Sequence, residues 1–471
     1  MSELIEMLRL TGDSVAVHAG KVELRDAGKF RGRVGQLVEV SALGAGTRQG
    51  WARWLIRSVA LALGIVPSSI HDLYMARGRG QAPNTFTVPA MNLRVLSFDA
   101  ARAVFRVAKQ IDAGAFIFEI ARSEIGYTAQ RPAEYATNIL AAAIAEEWAG
   151  PVFVQGDHFQ LSPKKYTAEP EAEVQAVRDL AGEAIAAGFY NLDVDTSTLV
   201  DISKPTVPEQ QETNVRLSSE LAGHIRRLEP DGVRVSIGGE IGEVGGHNST
   251  AAELRAFMDG FNGALRDGSP GNPGLSKISI QTGTSHGGTV LPNGTLARVN
   301  IDFRTLKELS RLGREEYGLG GAVQHGASTL PEDAFHKFVE HEAVEVHLAT
   351  SFMTMFFDHA PEELRREMFA WLDKNAAAER KPGMTDEQFY YKARKNAIGP
   401  FKRQMYALDG STRERISSAW QEQFARLFEL LGIAHSRQYV EAFVRPVAVP
   451  PQADFYVGRE SAMAMADDLQ D

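Results

Sequence analysis

Asp157 and His158 follow directly on an apolar run, in the stretch VFVQGDH from Val152 to His158. Three later segments repeat the pattern of an apolar run, glycine and then a group able to bind a metal ion. They are VSIGGEIG around Glu240, ISIQTGTSHGG around His286 and GAVQHGAS around His325. An apolar run closed by glycine reads as a buried parallel strand ending at a polar loop, and glycine there lets the backbone turn sharply and approach a ligand closely. Three imidazoles and a carboxylate, each at a strand end, outline one metal centre. The chain has no cysteine, so it has no disulfides and no thiolate ligands. Any zinc is then held by His and Asp or Glu, which suits a catalytic centre better than a closed structural site.

Taken singly, each of these residues says little, because the chain has 12 histidines. HEAVEVH at His341 to His347 lacks the H-E-x-x-H spacing of a zinc-protease helix. His336, His341 and His359 fall on predicted helices and read as surface or packing residues. The bland reading of the strand-end histidines is that they satisfy loop hydrogen bonds. The position that these three histidines share with Glu240, each at the end of a strand, favours a common site.

The elements that must position them follow a rhythm. Apolar, β-rich runs at TFTVPAMN, AFIFEIA, VFVQGDH, FYNLDVD, RVSIGGEI, KISIQTG, GAVQHG and AVEVHLA alternate with helical periods. That alternation is the signature of a parallel sheet with helical crossovers. Eight such units close a barrel, and ligands collect at the carboxyl ends of barrel strands. The expected fold is therefore α/β, a TIM (β/α)8 barrel over residues 81–358. An N-terminal extension covers 1–80 and a helical C-terminal extension 359–471. In the first part, LVEVSALGAGTRQGWARWLI reads as a strand, a glycine turn and a helix. Gly44, Gly46 and Gly50 do not have dinucleotide-loop spacing, and plain turn glycines are the better reading. The boundary falls in the Gly, Arg and Pro-containing stretch from Ala76 to Thr85. Near the end, Ile416, Trp420, Phe424, Leu427 and Leu431 recur every three to four residues. They form one apolar helix face for the barrel or a partner subunit.

The formal charge of -10 argues against nucleic acid or an anionic membrane surface as a partner. It leaves an anionic substrate open, since a site can be locally positive. The opening MSELIEMLRLTGDS is not a signal pattern, and SVALALGIV is too short to span a bilayer. A cytoplasmic protein is expected.

GFYNLDVD, GGEIGEVGG, TGTSHGG and HGAS together resemble the class II, metal-dependent fructose- and tagatose-bisphosphate aldolases, over Phe86 to Phe356. YTAQRPAEY at Tyr127 to Tyr135, with the GDH segment, is also similar to the companion subunit of tagatose-bisphosphate aldolase, an accessory rather than a complete enzyme. The aldolase resemblance implies that His158, His286 and His325 hold one zinc, or another divalent ion, with Glu240 as a further ligand. Asp157 inherits the role of general acid and base, and Asp193 matches an acid near the metal. Gly287, Gly326, Ala327 and Ser328 would cradle a phosphate through backbone N–H groups and a hydroxyl. His347 and Thr350 occupy the family's phosphate segment. That segment departs from the family's Asn-x-Asp-Thr pattern, since VEVHLAT places Glu345, His347 and Ala349 there and keeps Thr350. The basic residue expected after GTxHG is absent from HGGTVLPNG, and the loop after GGEIG carries His247 and Asn248. Arg122, Lys164 and Lys165 are candidate replacement cations.

The residue types suit the chemistry that the resemblance implies. Retro-aldol cleavage leaves an enediolate on the donor ketone, and a Lewis acid chelated by its oxygens is a sink for that charge. Neutral imidazoles keep the site net positive, while a carboxyl group moves the proton of the C4 hydroxyl. The expectation is a lyase of carbohydrate metabolism that acts on a ketose or sugar phosphate and assembles as a dimer or larger homo-oligomer. A non-catalytic barrel subunit supporting another aldolase is the alternative, and an isomerase or epimerase using the same enediolate is a third reading.

Overall fold

The structure is a computed structural model that describes residues 2–18, 20–242, 247–283, 291, 301–327 and 330–468. A short antiparallel hairpin, β1 (Val15–His18) and β2 (Lys21–Leu24), precedes the parallel strand β3 (Ile65–Ser68). The barrel strands are β4 (Val88–Asn92), β5 (Ile117–Ala121), β6 (Gly150–Gln160), β7 (Asn191–Asp195), β8 (Ser236–Glu240), β9 (Lys277–Ile280), β10 (Ala322–Gln324) and β11 (Glu345–Leu348). They pair in the order β6-β5-β4-β11-β10-β9-β8-β7, all parallel, and β7 pairs back with β6. The sheet thus closes into the eight-stranded TIM barrel expected from the strand rhythm.

Nearly every barrel-strand residue is buried, whichever way its side chain points. A parallel strand is covered by the crossover helices outside and by the opposite strands inside, which is why these segments read as continuous apolar runs. The crossovers include Ser97–Gln110, Pro132–Ala145, Pro170–Ala187, Val207–Leu228, Ala251–Gly268 and Phe303–Tyr317. Thr250 and Thr206 cap two of them in reciprocal boxes with Glu253 and Glu209, satisfying backbone donors that helix ends leave free.

The N-terminal region differs from its sequence reading at one place. LVEVSAL lies within the helix Val34–Leu43, and a second helix, Gly46–Ala62, follows. Leu37, Val38, Ser41 and Ala42 are buried on one face of the first, a helical stripe that a short apolar run does not distinguish from a strand. Gly44 makes the corner, where a Cβ would stand 2.5 Å from the Val40 carbonyl oxygen. β3 pairs with residues 150–153 of β6, below the part of β6 that pairs with β7. Asn191 pins it, accepting from Ile70 N–H at 2.9 Å and donating to the Ser68 carbonyl at 3.1 Å. Helix His71–Gly78 then brings Tyr74 and Arg77 to the barrel. Tyr74 donates to Glu345 Oε2 at 2.5 Å, and Arg77 to the carbonyls of Phe86 and Ala343 at 2.7 and 3.0 Å.

Beyond the barrel the described chain is helical. Helix Gly410–Leu430 buries Ile416, Trp420, Phe424 and Leu427. Trp420 Nε1 donates to the Phe352 carbonyl at 3.0 Å, and the Phe424 and Phe352 rings lie 4.8 Å apart. Its apolar face therefore packs on helix Thr350–His359, which follows the last strand. Among the described residues no helix is long and apolar enough to cross a membrane.

Candidate active site

The site begins with an irregularity in β6. Gly156 pairs with Leu192 and Phe159 with Val194, so the register shifts between them. Asp157 and His158 together oppose the single residue Asp193, and His158 has a φ of 41°. Such a bulge bends the strand and re-aims side chains that would otherwise alternate faces. Consecutive residues can then both serve one site. Gly156 is the residue that permits it, because a Cβ there would lie 2.5 Å from the Phe159 ring folded back over it.

His158 Nδ1 lies 3.2 Å from Asp195 Oδ2 and 3.3 Å from Glu240 Oε2, and its Nε2 is 3.7 Å from Asp157 Oδ1. The imidazoles of His158 and His325 are 4.2 Å apart, and those of His325 and His347 are 4.0 Å apart. His325 Nε2 also meets Ser279 Oγ at 2.9 Å. Burial, reinforced by the Asp195 carboxylate, pushes Glu240 up to about 7. Burial would lower His158, yet the carboxylates of Asp157 and Glu240 outweigh it and raise the imidazole well above its usual range.

The residues fit a divalent cation. Asp157, His158 and His325 offer ligand atoms within 4.8 Å of one another, as do His158, Asp195 and Glu240. A cation among them would offset the burial and the Asp195 charge that raise Glu240, and imidazole with carboxylate is a donor set for zinc and related ions.

Beneath this lies a charged network inside the barrel. Lys277 Nζ is 2.9 Å from Asp193 Oδ1 and 2.5 Å from Glu345 Oε1, and donates to Gln155 Oε1 at 2.8 Å. Gln155 in turn donates to Glu119 at 2.8 Å and Glu345 at 2.9 Å. Glu345 lies in the position that the aldolase resemblance makes unhelpful to an anion, but Lys277 and Tyr74 take its charge. Lys277 and His347 hold it below the usual carboxylate range despite burial. Burial raises Glu119 and Asp193 instead.

His347 joins the two layers. Its Nε2 meets Glu345 Oε1 at 2.6 Å and its Nδ1 meets Asp157 Oδ1 at 3.1 Å. Burial would lower its pKa, but Glu119 and Asp157 raise it well above the usual value. With carboxylates on both nitrogens, the ring is held as an imidazolium donor. Asp157 Oδ2 accepts from Asn92 at 3.0 Å. Burial alone would raise Asp157, but His158 and His347 hold it well below the usual range.

A cavity of about 630 Å³ opens over Asp157, His158, His325 and His347. Gly326, with a φ of 70°, and Thr350 also line it, whereas Ala327 is buried beside it. Asp193 sits below, in the Lys277 network. The expected ligand His286 and the expected phosphate contacts Gly287 and Ser328 lie outside the described residues. Arg122 is not available as a replacement cation, since it forms a two-pronged pair with Glu173 at 2.5 and 3.2 Å. Lys164 and Lys165 do not line the cavity.

Sequence reasoning missed Glu119, Asp195, Lys277 and Asn92. Asn92 and Asp195 end their strands, Lys277 starts one and Glu119 sits in the middle of one, so a polar residue within a β-rich run was the available signal. It also missed the cavity wall from beyond the barrel, Gln388, Tyr391, Lys392 and Lys395.

The sequence matches the family model described as fructose-bisphosphate aldolase class-II over residues 81–411. No match was found among curated proteins. Among solved structures, a probable tagatose 6 phosphate kinase from Sinorhizobium meliloti is 16% identical, with a TM-score of 0.51, over 81% of this chain and 100% of that chain. A fructuronate-tagaturonate epimerase from Cohnella laeviribosi is 11% identical, with a TM-score of 0.52, over 90% of each chain. A fructose-bisphosphate aldolase from Campylobacter jejuni is 17% identical, with a TM-score of 0.46, over 79% of this chain and 97% of that chain. At these identities the likeness is one of fold. The family match spans most of the chain, and the protein belongs to the class II fructose-bisphosphate aldolase family.

Proposed function

We propose that the protein is a metal-dependent aldolase that cleaves or forms a carbon–carbon bond in a ketose, a sugar phosphate or a related acid. The observation that carries this reading is the convergence of Asp157, His158 and His325 on one cavity at the carboxyl ends of the barrel strands, with Glu240 3.3 Å from His158 Nδ1. His158, His325 and Glu240, with His286 as the further expected ligand, would hold a zinc or another divalent ion, which supplies Lewis-acid stabilisation of the negative charge left on the donor half.

Asp157 is the general base in cleavage and the general acid in synthesis. His347 and Asn92 each donate to one of its oxygens, so it rests as a carboxylate ready to take the proton of the C4 hydroxyl. As that proton leaves, the C3–C4 bond breaks. Its electron pair passes to the donor carbonyl, and the acceptor half departs as an aldehyde. The bulge at Gly156 sets this base beside the expected ligand His158, so the proton and the charge are managed on one side of the substrate.

Elemental analysis of the purified protein beside His158→Ala and His325→Ala, together with an aldehyde-trapping assay on ketoses and ketose phosphates, tests this reading. About one metal ion per chain, lost in both variants, with aldehyde released by the wild type, is the expected outcome. A C4 epimer formed without aldehyde release would redirect the same residues to an epimerase. No metal and no turnover, even after zinc is added, would leave a supporting barrel subunit as the better reading.

A further inference from the structure

The cavity over Asp157 has a wall that the barrel does not supply. Gln388, Tyr391, Lys392 and Lys395 line it, and they lie on the helix Asp386–Ala393 and the 3-10 turn Arg394–Ala397 that continues it. Spacings of three and four residues place them along one face of that helical segment. Lys392 and Lys395 are exposed at the cavity rim. Among the described residues neither makes a hydrogen bond or an ion pair, and the Lys395 ammonium group stands over the Tyr127 ring at 5.7 Å. Arg94 lines the cavity as well, but Glu124 takes its charge at 2.5 Å. The two lysines are therefore surplus positive charge facing the reaction space.

The segment is built as a fixed wall. Arg394, buried on its other side, donates to Thr354 Oγ1 at 2.6 Å and stacks on the rings of Tyr391 and Phe357 at 4.2 and 5.3 Å. Gly399 N–H donates to the Tyr127 carbonyl at 3.0 Å. At this close approach a Cβ on Gly399 would lie 2.6 Å from that oxygen. The lysines thus stand on a scaffold anchored to the barrel's own helices Thr350–His359 and Arg122–Thr128.

We propose that Lys392 and Lys395 form an anion site that receives a terminal oxyanion of the substrate, a phosphate ester or a carboxylate, at the end remote from Asp157. An ammonium pair on a rim beside a partly enclosed cavity attracts such a group more strongly than the same charges in open water. The chain's own geometry supports a site here, since Arg122 is consumed by Glu173 and Glu345 by Lys277. The inference rests on the cavity being the active site.

The test is isothermal titration of the full-length, metal-loaded protein at low salt with glucose 6-phosphate, glucuronate and uncharged glucose. The wild type, Lys392→Ala/Lys395→Ala and, outside the cavity, Lys164→Ala/Lys165→Ala are compared. The expected result is at least tenfold weaker binding of one charged sugar in the first double variant, with the second unchanged and glucose bound no better than in the wild type. Whether the phosphate or the uronate is the one affected identifies the oxyanion. Equal binding by all three proteins, or no preference of the wild type for either charged sugar over glucose, overturns the site. Charge-selective binding lost in the double variant, with no cleavage of any ketose, upholds the anion site while the aldolase reading fails. Cleavage with the same KM for phosphorylated, acidic and neutral ketoses upholds the aldolase and overturns the anion site.

Discussion

At the scale of single residues, one carboxylate and the cation beside it carry most of what is distinctive. Asp157 and His347 form a pair that also bridges to Glu345 and, through it, to Lys277. Asp157→Asn keeps the shape of the side chain but removes the base. A fall in kcat of about 10²–10⁴-fold is expected, with metal content unchanged by elemental analysis. Loss of metal along with activity would instead make Asp157 a ligand. His347→Gln removes the positive charge that holds Asp157 down, so Asp157 titrates at higher pH and the acid limb of the kcat/KM profile shifts toward neutrality. The raised pKa of His347 also has a stability consequence. A group whose folded pKa lies above its unfolded value of about 6.5 stabilises fully below that pH and less as pH rises through the folded value. Stability to urea should therefore fall as pH rises above about 6.5 in the wild type and show a flatter profile in His347→Gln.

At the scale of elements, the bulge in β6 decides whether two consecutive residues can share a site. Gly156→Ala places a methyl against the Phe159 ring. The ring is itself buried, so one or both must move. A loss of about 1–3 kcal/mol is expected, measured by chemical denaturation, together with weaker metal retention because His158 is carried by the same bulge. A variant that loses stability but binds metal normally would show the bulge to be a packing feature only. The lysine at the start of β9 is a second case. Lys277→Met removes the ammonium group between the buried Glu345 and Asp193 and leaves His347 as their neighbouring cation, and breaking such a buried pair costs about 3–5 kcal/mol. The loss should be smaller at low pH, where the stranded carboxylates protonate, and comparison of melting at pH 5 and pH 8 checks it.

At the scale of the whole molecule, segments outside the barrel complete it at both ends. Tyr74 enters from the N-terminal region to meet Glu345, and Gln388 to Lys395 close the cavity from beyond the last strand. A single cluster of buried apolar residues runs from Leu4 through the barrel to the C-terminal helices. Phe116 in the barrel stacks on Phe428 at 5.8 Å. Trp420→Ala, in the helix that packs on Thr350–His359, should cost about 3–5 kcal/mol. Because that helix follows the last strand of the site, kcat/KM should fall as well, which activity measured well below the melting temperature would show.

The eight strands were legible in the sequence because a strand buried on both faces must be apolar along its length, and a parallel sheet must separate such runs by helices. Asp157, His158, Glu240 and His325 were legible for the same reason: polar groups directly after apolar runs stand out, and the barrel brings strand ends together at one rim. LVEVSAL was misread because a short, largely apolar stretch suits a strand or a helix equally until its neighbours choose the buried face. The sequence by itself thus determined the barrel, its order of elements and which rim gathers the imidazoles and carboxylates. Only the tertiary structure decided how charge is balanced inside it. Lys277 with Glu345, Arg122 with Glu173, and His347 between two carboxylates are partners far apart in the chain, and their pairing depends on side-chain distances that no local pattern encodes. The same is true of Lys392 and Lys395, which read as an ordinary charged helix until the fold turns that face toward Asp157.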